Sequence, residues 1–238
     1  MAVARRLAAG GVEAVALAMV DPAGVTRVKC IPIRRFEEVA RFGVGLSNVF
    51  SVFLVNDGIT SSPGIEGPTG DTRLVPDPAS AVALAASPGW ALAAVDQRDQ
   101  EGDPWPPCGR TFARRMLERL SSDHGLELRG AYELEFFLGN RVAPREADEP
   151  EPIPAHVGPG YSAPVLADQE PFATDAIRAL ERQGTGVMQF HPEYSTGQFE
   201  ISVPHRAGIA VADTNLVARH TIRAVARANG LAVSFAPV

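Results

Sequence analysis

Glu133 and Glu135 alternate with Tyr132, Leu134, Phe136 and Leu138. Because a strand sends successive side chains to opposite faces, this pattern puts the two carboxylates on one face, about 7 Å apart. Like charges this close repel unless a cation or a proton intervenes. Downstream, Val187 to Glu193 reads as a second strand, Ser195-Thr196-Gly197 as turn residues, and Gln198 to Val203 as a third strand. Phe199, Ile201 and Val203 share one face of that strand; Gln198, Glu200 and Ser202 share the other. Placed in one sheet, the three strands let Glu133, Glu135, Glu193 and Glu200 converge on an all-oxygen site for a hard divalent cation, Mg²⁺ or Mn²⁺. No cysteine lies in either stretch, and His191 is the only imidazole there.

Taken singly, these residues say less. Glu-x-Glu on a strand is more often a solvated face than a ligand pair. A lone His191 is more often a satisfied structural histidine, and Gly197 serves equally well as a plain turn residue. The combination carries more information than its parts: His-x-Glu, then Gly-Gln-x-Glu, downstream of a Glu-x-Glu strand.

The elements that must hold these residues follow from pattern and punctuation. Val12 to Val20, the turn Asp21-Pro22-Ala23-Gly24 and Val25 to Ile33 predict a β-hairpin. Arg34 to Phe42 has helical spacing and stops at Gly43, whereas the apolar run Val49 to Val55 and the segment Trp90 to Val95 read as strands. Asn56 to Asp71 is a loop rich in Gly, Pro and Ser, and Gly102 to Pro107 breaks the chain. A helix is expected from Thr111 to His124, with Phe112, Met116, Leu117 and Leu120 on its apolar face. Leu126 to Leu138 supplies the Glu-x-Glu strand, and a Pro- and acid-rich connection spans Asn140 to Glu170. Helices from Pro171 to Gln183 and from Arg206 to Asn229, then a strand from Leu231 to Phe235, complete the reading.

Composition sets outer bounds. The 238 residues, 45% of them hydrophobic, suffice for one large domain or two small ones. A formal charge of −6 argues against nucleic acid and anionic membrane surfaces as partners. Cys30 and Cys108 have no metal-binding spacing and read as free thiols in a reducing compartment. No run approaches the about 20 apolar residues of a membrane helix, and no signal-type apolar stretch opens the chain, so a cytoplasmic protein is expected. A Walker-type phosphate loop is missing.

Several segments together resemble the amino-terminal half of a glutamine synthetase family member. They are Asn56-Asp57-Gly58, Asp71 to Asp77, Tyr132-Glu133-Leu134-Glu135-Phe136, His191 to Glu200, and Ser234-Phe235-Ala236-Pro237. The resemblance implies an α+β protein: a small β-grasp domain over residues 1–105, then a truncated glutamine synthetase-type catalytic domain over 106–238 with an antiparallel-rich sheet and helices. It implies ATP as co-substrate, Mg²⁺ or Mn²⁺ as cofactor, glutamate and ammonia or another amine as reactants, and a homo-oligomeric ring in the full-length form. In the family's reaction the γ-phosphoryl of ATP passes to the glutamate side chain and ammonia displaces phosphate.

Residue by residue, the resemblance implies that Glu135, Glu193 and Glu200 hold one cation near glutamate and that Glu133 contributes to a second beside the phosphates. His191 would face the transferred phosphoryl group. Asp57 would lie in a loop that reaches a neighbouring subunit's site and helps deprotonate the ammonium. Tyr161-Ser162 matches a further family position. There are departures: Asp57-Gly58 is followed by Ile59-Thr60 where relatives have two serines, Met188 replaces an acidic residue associated with nucleotide binding, and Val238 replaces a lysine. The second metal's His and Glu partners and the Arg-rich nucleotide segment are missing, so this polypeptide alone is expected to have little or no ligase activity. A γ-glutamyl ligase for polyamines or other amines, a non-catalytic assembly module, and a metal-dependent hydrolase reusing the carboxylates stay open beside the leading reading.

Overall fold

In the computed structural model, which describes residues 2–65, 67–141 and 153–236, the expected first hairpin forms around Asp21. The Asp21 backbone N–H donates to the Val25 carbonyl at 3.0 Å, and the Asp21 carboxylate accepts from the Val25 N–H at 2.9 Å. Gly24, at φ 82°, takes the left-handed position that a residue with a Cβ resists. Strands β1 (Ala14–Val20) and β2 (Thr26–Pro32) therefore pair antiparallel, from Val20 opposite Thr26 to Ala14 opposite Pro32.

The chain divides into two compact units. The first comprises Met1–Leu84, Pro88–Arg129 and Ala207–Asp213; the second holds Ala85–Ser87, Gly130–Arg206 and Thr214–Val238. In the first unit β1 and β2 join β3 (Val44–Ser47), β4 (Asp71–Pro76), β5 (Val82–Ala83) and β6 (Trp90–Arg98), in the order β2-β1-β6-β4-β3 with β5 on β6. β1 runs parallel to β6; the other pairs are antiparallel. Helices α1 (Ala2–Ala9) and α2 (Phe36–Phe42) send Leu7, Phe36 and Val39 into a core with Val15, Leu17, Met19 and Leu74.

One expectation fails in this unit. Val49 to Val55 is no strand: residues Asn48–Val52 form a 3₁₀ helix whose start is capped by the Ser47 hydroxyl, which accepts from the Val49 N–H at 3.4 Å. A short continuous apolar run has no period to separate strand from helix. Here Val49 and Val52, three apart, share one buried face with Ile65. Helix α3 (Gly109–His124) forms as expected, but none of its residues is fully buried and Phe112 is exposed.

Ion pairs tie α3 down in place of apolar packing. Arg110 bonds to Asp77 at 2.8 Å, to Asp213 at 2.8 Å and to Asp96, and Arg114 reaches Asp77 and Asp96. Burial works against the Arg110 charge, yet the hydrogen bonds it donates to Asp213 and Asp77 prevail and raise its pKa. Burial likewise pushes the Asp77 carboxyl up, but Arg110, the Ala79 N–H and Arg114 outweigh it and hold the group below the ordinary carboxylate range.

The second unit follows β7 (Arg129–Gly130). Its sheet has the order β10-β11-β8-β13, built from β8 (Glu133–Asn140), β10 (Gln189–Pro192), β11 (Gln198–Ser202) and β13 (Leu231–Ser234), with β9 (Ile153–Pro154) on β8. The Glu-x-Glu strand thus starts at Glu133, later than Leu126. Helix α4 (Ala163–Asp168) leads into α5 (Glu170–Arg182). After β12 (Arg206–Ala207), helix α6 (Ala210–Ala228) starts past Gly208, whose φ of 57° breaks the expected earlier start. Phe172, Ala176 and Leu180 of α5 and Ala218, Ile222 and Val225 of α6 pack with Leu134, Phe136, Leu138, Phe199 and Ile201. Each buried Phe, Leu, Ile or Val among them contributes about 1.5–3 kcal/mol. Cys30 is an exposed free thiol and Cys108 a buried one. Residues 142–152 of the expected connection, Pro237 of the closing motif and the Lys-replacing Val238 lie outside the described residues.

Arg110→Ala leaves buried carboxylates short of a partner, and urea denaturation is expected to show a loss of about 3 kcal/mol; a loss within error of zero contradicts the anchoring role. Because the folded pKa of Asp77 is depressed, its stabilisation is complete above the unfolded carboxylate pKa and disappears as pH falls through the folded one. Below about pH 4, Asp77→Asn is therefore expected to lose stability less steeply than wild type. Parallel acid limbs would rule this out.

Candidate functional site

Antiparallel register decides which side chains meet. On β11, Glu200 lies opposite His191 of β10 and opposite Glu135 of β8. Residues directly opposite one another point to the same face, so His191, Glu200 and Glu135 form one row across three strands. The next row is Gln189, Ser202 and Glu133. Phe199 and Ile201 point the other way and are fully buried. Their burial fixes the register, since a slip of one residue would put Glu200 into the core.

His191, Glu193 and Glu200 each present a ligand atom within 4.8 Å of the others. Glu193 follows the last residue of β10, and it is the most heavily bonded of the three. Its Oε1 accepts from the Tyr161 hydroxyl at 2.6 Å and from His191 Nε2 at 2.8 Å, and its Oε2 accepts from the Tyr194 backbone N–H at 3.1 Å. Glu200 Oε1 lies 4.0 Å from His191 Nε2 and accepts from the Ser202 hydroxyl at 3.0 Å. Both carboxylates are 7% exposed, and among the described residues their ion-pair partner is His191 rather than any Lys or Arg.

Burial pushes the Glu193 carboxyl up, but the hydrogen bonds from Tyr161, His191 and the Tyr194 N–H prevail and hold it below the ordinary carboxylate range. The partner shows the reciprocal effect: hydrogen bonding to Glu193 pushes the Tyr161 phenol up to about 12. Glu193 is thus an anion at neutral pH, oriented on both oxygens.

The other expected ligands stand apart from this trio. Glu135, though in the same cross-strand row, is exposed and accepts a 2.5 Å hydrogen bond from the Gln198 side-chain amide. Glu133 is exposed opposite Ser202, one row further along. Both line an open depression of about 610 Å³ with Ser195, Thr196, Asn215 and Arg219. Met188 is 66% exposed at the start of the second acidic segment.

Asp57 belongs to the first unit. It has φ 62°, a left-handed conformation for a non-glycine residue, at the tip of a turn in which the Asp57 N–H donates to the Leu54 carbonyl at 3.1 Å. Arg27 of β2 pairs with it at 2.5 Å, holds the buried Asp21 at 2.8 Å, and lies over the rings of Phe50 and Phe53. The carboxylate remains largely exposed, at 67% of its side chain.

Glycines set the close approaches in the second unit. Gly197 has φ 76°, and a Cβ there would come 2.6 Å from the Phe137 ring, so it is a packing requirement as well as a turn residue. A Cβ at Gly160 would lie 2.9 Å from the Glu193 carbonyl oxygen. That clearance lets the loop bring Tyr161, itself at φ 57°, to the carboxylate. Sequence reasoning noticed Tyr161 only through family likeness, placed Ser202 on the Glu200 face without giving it a role, and missed the parts played by Tyr194 and His156. His156 is a buried imidazole whose Nδ1 accepts from the Gly197 N–H at 3.4 Å. The Gly158-Pro159-Gly160 sequence before Tyr161 was the available signal for a backbone pressed against its neighbour.

Comparison with known proteins agrees with this architecture. Residues 1–105 match the glutamine synthetase N-terminal domain, and residues 106–238 match the glutamine synthetase catalytic domain. The chain is 44% identical over 236 residues to the gamma-glutamylpolyamine synthetase GlnA3 of Streptomyces coelicolor, covering 99% of this chain and 50% of that protein. A glutamine synthetase of Mycolicibacterium smegmatis is 35% identical over 138 residues, 58% of this chain and 30% of that protein. Among solved structures, a glutamine synthase homolog superposes with TM-score 0.80 at 31% identity, covering 93% of this chain and 50% of the other. A GmaS/ADP complex, at 24% identity, shares the fold with TM-score 0.82 over 99% of this chain and 51% of its own. The chain therefore spans about half the length of such relatives, and with the two family matches together covering residues 1–238 it belongs to the glutamine synthetase family.

Proposed function

We propose that this chain contributes the amino-terminal part of the active site of an ATP-dependent ligase that joins the γ-carboxylate of glutamate to ammonia or another amine. The observation that carries the reading is the trio His191, Glu193 and Glu200, with two buried carboxylates side by side and, among the described residues, no Lys or Arg ion-paired to them. A hard divalent cation relieves that repulsion, and the donor set of carboxylate oxygens with one imidazole suits Mg²⁺ or Mn²⁺. His191, Glu193 and Glu200 would hold the ion, with Glu135 next in the row and Glu133 beyond it. Bound there, a divalent cation supplies charge neutralisation where an anionic carboxylate meets an anionic triphosphate.

The chemistry then runs in two displacements. A glutamate carboxylate oxygen attacks the γ-phosphorus of ATP, and the bond to the bridging oxygen breaks to release ADP. The amine nitrogen attacks the carbonyl carbon of γ-glutamyl phosphate, phosphate leaves, and the nitrogen gives up a proton. Tyr161 and the Tyr194 N–H keep Glu193 ionised and fixed in direction, which is what orienting a reactant requires. Asp57, exposed and held by Arg27, is the proposed proton acceptor; the assignment of an ammonium-handling loop to it rests on the family pattern. The division into a β-grasp domain over 1–105 and a catalytic domain over 106–238, a cytoplasmic location and a ring-shaped homo-oligomer belong to the same proposal. A polyamine as the amine is supported by the name of the Streptomyces relative and by Ile59-Thr60 in the Asp57 loop.

The decisive assay is phosphate release from ATP by the native gene product with glutamate plus ammonium, then plus polyamines; amine-dependent release is expected, and none with any amine contradicts the ligase. On the 238-residue chain, Mn²⁺ titration followed by electron paramagnetic resonance is expected to show about tenfold weaker binding for Tyr161→Phe, which frees Glu193 from its orienting hydroxyl. Glu193→Gln and Glu200→Gln should lose more, and Mn²⁺ affinities equal to wild type would remove the trio as ligands.

A further inference from the structure

His156 is not one of the ligating trio, yet it holds the turn between two of its members. The residue is 7% exposed and packs its ring against Phe199, with centroids 4.9 Å apart. Its backbone segment is tied down on both sides. The Ala155 N–H donates to the Leu138 carbonyl at 2.9 Å, and the buried Gln169 side-chain amide donates to the Ala155 carbonyl at 3.1 Å. Burial pushes the His156 pKa below the ordinary imidazole value against an opposing pull from the Asp168 carboxylate, so the ring is neutral at pH 7. A neutral imidazole carries one proton. Because Nδ1 accepts from the Gly197 N–H, that proton sits on Nε2, which is buried and has no hydrogen-bond partner among the described residues.

The two ring nitrogens are of unequal use to the fold. An unmatched buried donor counts against stability, and a phenyl ring would pack on Phe199 without one. What a phenyl ring lacks is the acceptor for Gly197. That acceptor meets the most pliable peptide of the turn, since glycine takes either sign of φ and the Thr196–Gly197 peptide can flip there at little cost. The Gly197 carbonyl is fastened by the Leu138 N–H at 2.7 Å, which leaves the N–H side to His156. A flip would drag Thr196 and Ser195 with it. It would loosen the bonds that close the turn, from the Gln198 N–H to the Ser195 carbonyl at 2.9 Å and from the Glu193 N–H to the Gln198 carbonyl at 2.8 Å. Glu193 lies just past the end of β10, whereas Glu200 is held within β11, so the turn governs Glu193 more than its neighbour. We infer that His156, through Nδ1, is a positioning residue for divalent-cation binding: it locks the Gly197 peptide and thereby the place of Glu193 relative to Glu200. The inference rests on the reading of the trio as cation ligands, and it gives a part to a side chain which that reading leaves idle.

Nitrogen NMR of the metal-free 238-residue chain at pH 7 tests the contact itself. His156 is expected to be protonated at Nε2 and bare at Nδ1, and the Gly197 amide to exchange with solvent about tenfold more slowly than in His156→Phe. Mn²⁺ titration followed by electron paramagnetic resonance tests the consequence. His156→Phe keeps a ring on Phe199 and removes both nitrogens; without metal it is expected to unfold within about 3 °C of wild type, yet to bind Mn²⁺ about tenfold more weakly. His156→Asn, whose Oδ1 takes the place of Nδ1, is expected to recover wild-type affinity. A proton on Nδ1, wild-type affinity in His156→Phe, or an Asn variant that binds no better than Phe overturns the inference. Where His156→Phe does not fold, the wild-type tautomer and the affinity of His156→Asn decide. Failure of the underlying reading looks different. Wild type that takes up no Mn²⁺ removes the trio as ligands and the positioning role with it, whereas equal uptake by wild type and His156→Phe removes His156 alone.

Discussion

Two carboxylates of the same sign sit almost without solvent on one strand face and the residue beside it, and their mutual repulsion is the constraint that the second unit is built to bear. Unpaired burial of a charge is expensive. Glu193 meets that cost with three donors, from Tyr161, His191 and a backbone N–H, and Glu200 with a hydroxyl from Ser202. The hydroxyls of Tyr161 and Ser202 and the backbone N–H bring no positive charge. The net negative charge left over is what makes the place chemically distinct from a solvated acidic surface.

The apolar face of the same strands keeps those carboxylates where they are. Phe199 and Ile201 alternate with Glu200, and their burial between α5 and α6 on one side of the sheet leaves Glu200 no choice of face. Gly197 lets the preceding turn close against Phe137, and Gly160 lets a distant loop deliver Tyr161. Site geometry is thereby made a consequence of core packing: a hydrophobic error in β11 would be read out as a misplaced oxygen. In the first unit an unrelated device does similar work, with Arg110 gathering three aspartates to hold a helix that buries no side chain completely.

Much of this was legible beforehand, and the failures have identifiable causes. Period-two alternation in Glu133 to Leu138 and Gln198 to Val203 gave the correct strands and faces, because one side of each is truly buried. The run Val49 to Val55 has no alternation, and local capping by Ser47 decided for a 3₁₀ helix. The Phe112, Met116, Leu117 and Leu120 stripe marked a real helix, but a stripe does not say what covers it. At the site, sequence pattern could not foresee that Gln198 would take Glu135 while His191 joined Glu193 and Glu200. Side chains of similar reach on adjacent strands have several partners within range, and only the twist of the finished sheet chooses among them. Tyr161, 32 residues from Glu193 in sequence, comes from a loop whose path no period announces.

The central claim is that the excess charge of Glu193 and Glu200 is there to bind a divalent cation. Crystals of the chain grown with Mn²⁺ and measured at the manganese absorption edge test it directly. The account predicts an anomalous peak within about 2.1 Å of carboxylate oxygens from both Glu193 and Glu200. A map with manganese bound elsewhere, or with the two carboxylates turned apart and bonded to arginine or solvent, would contradict it.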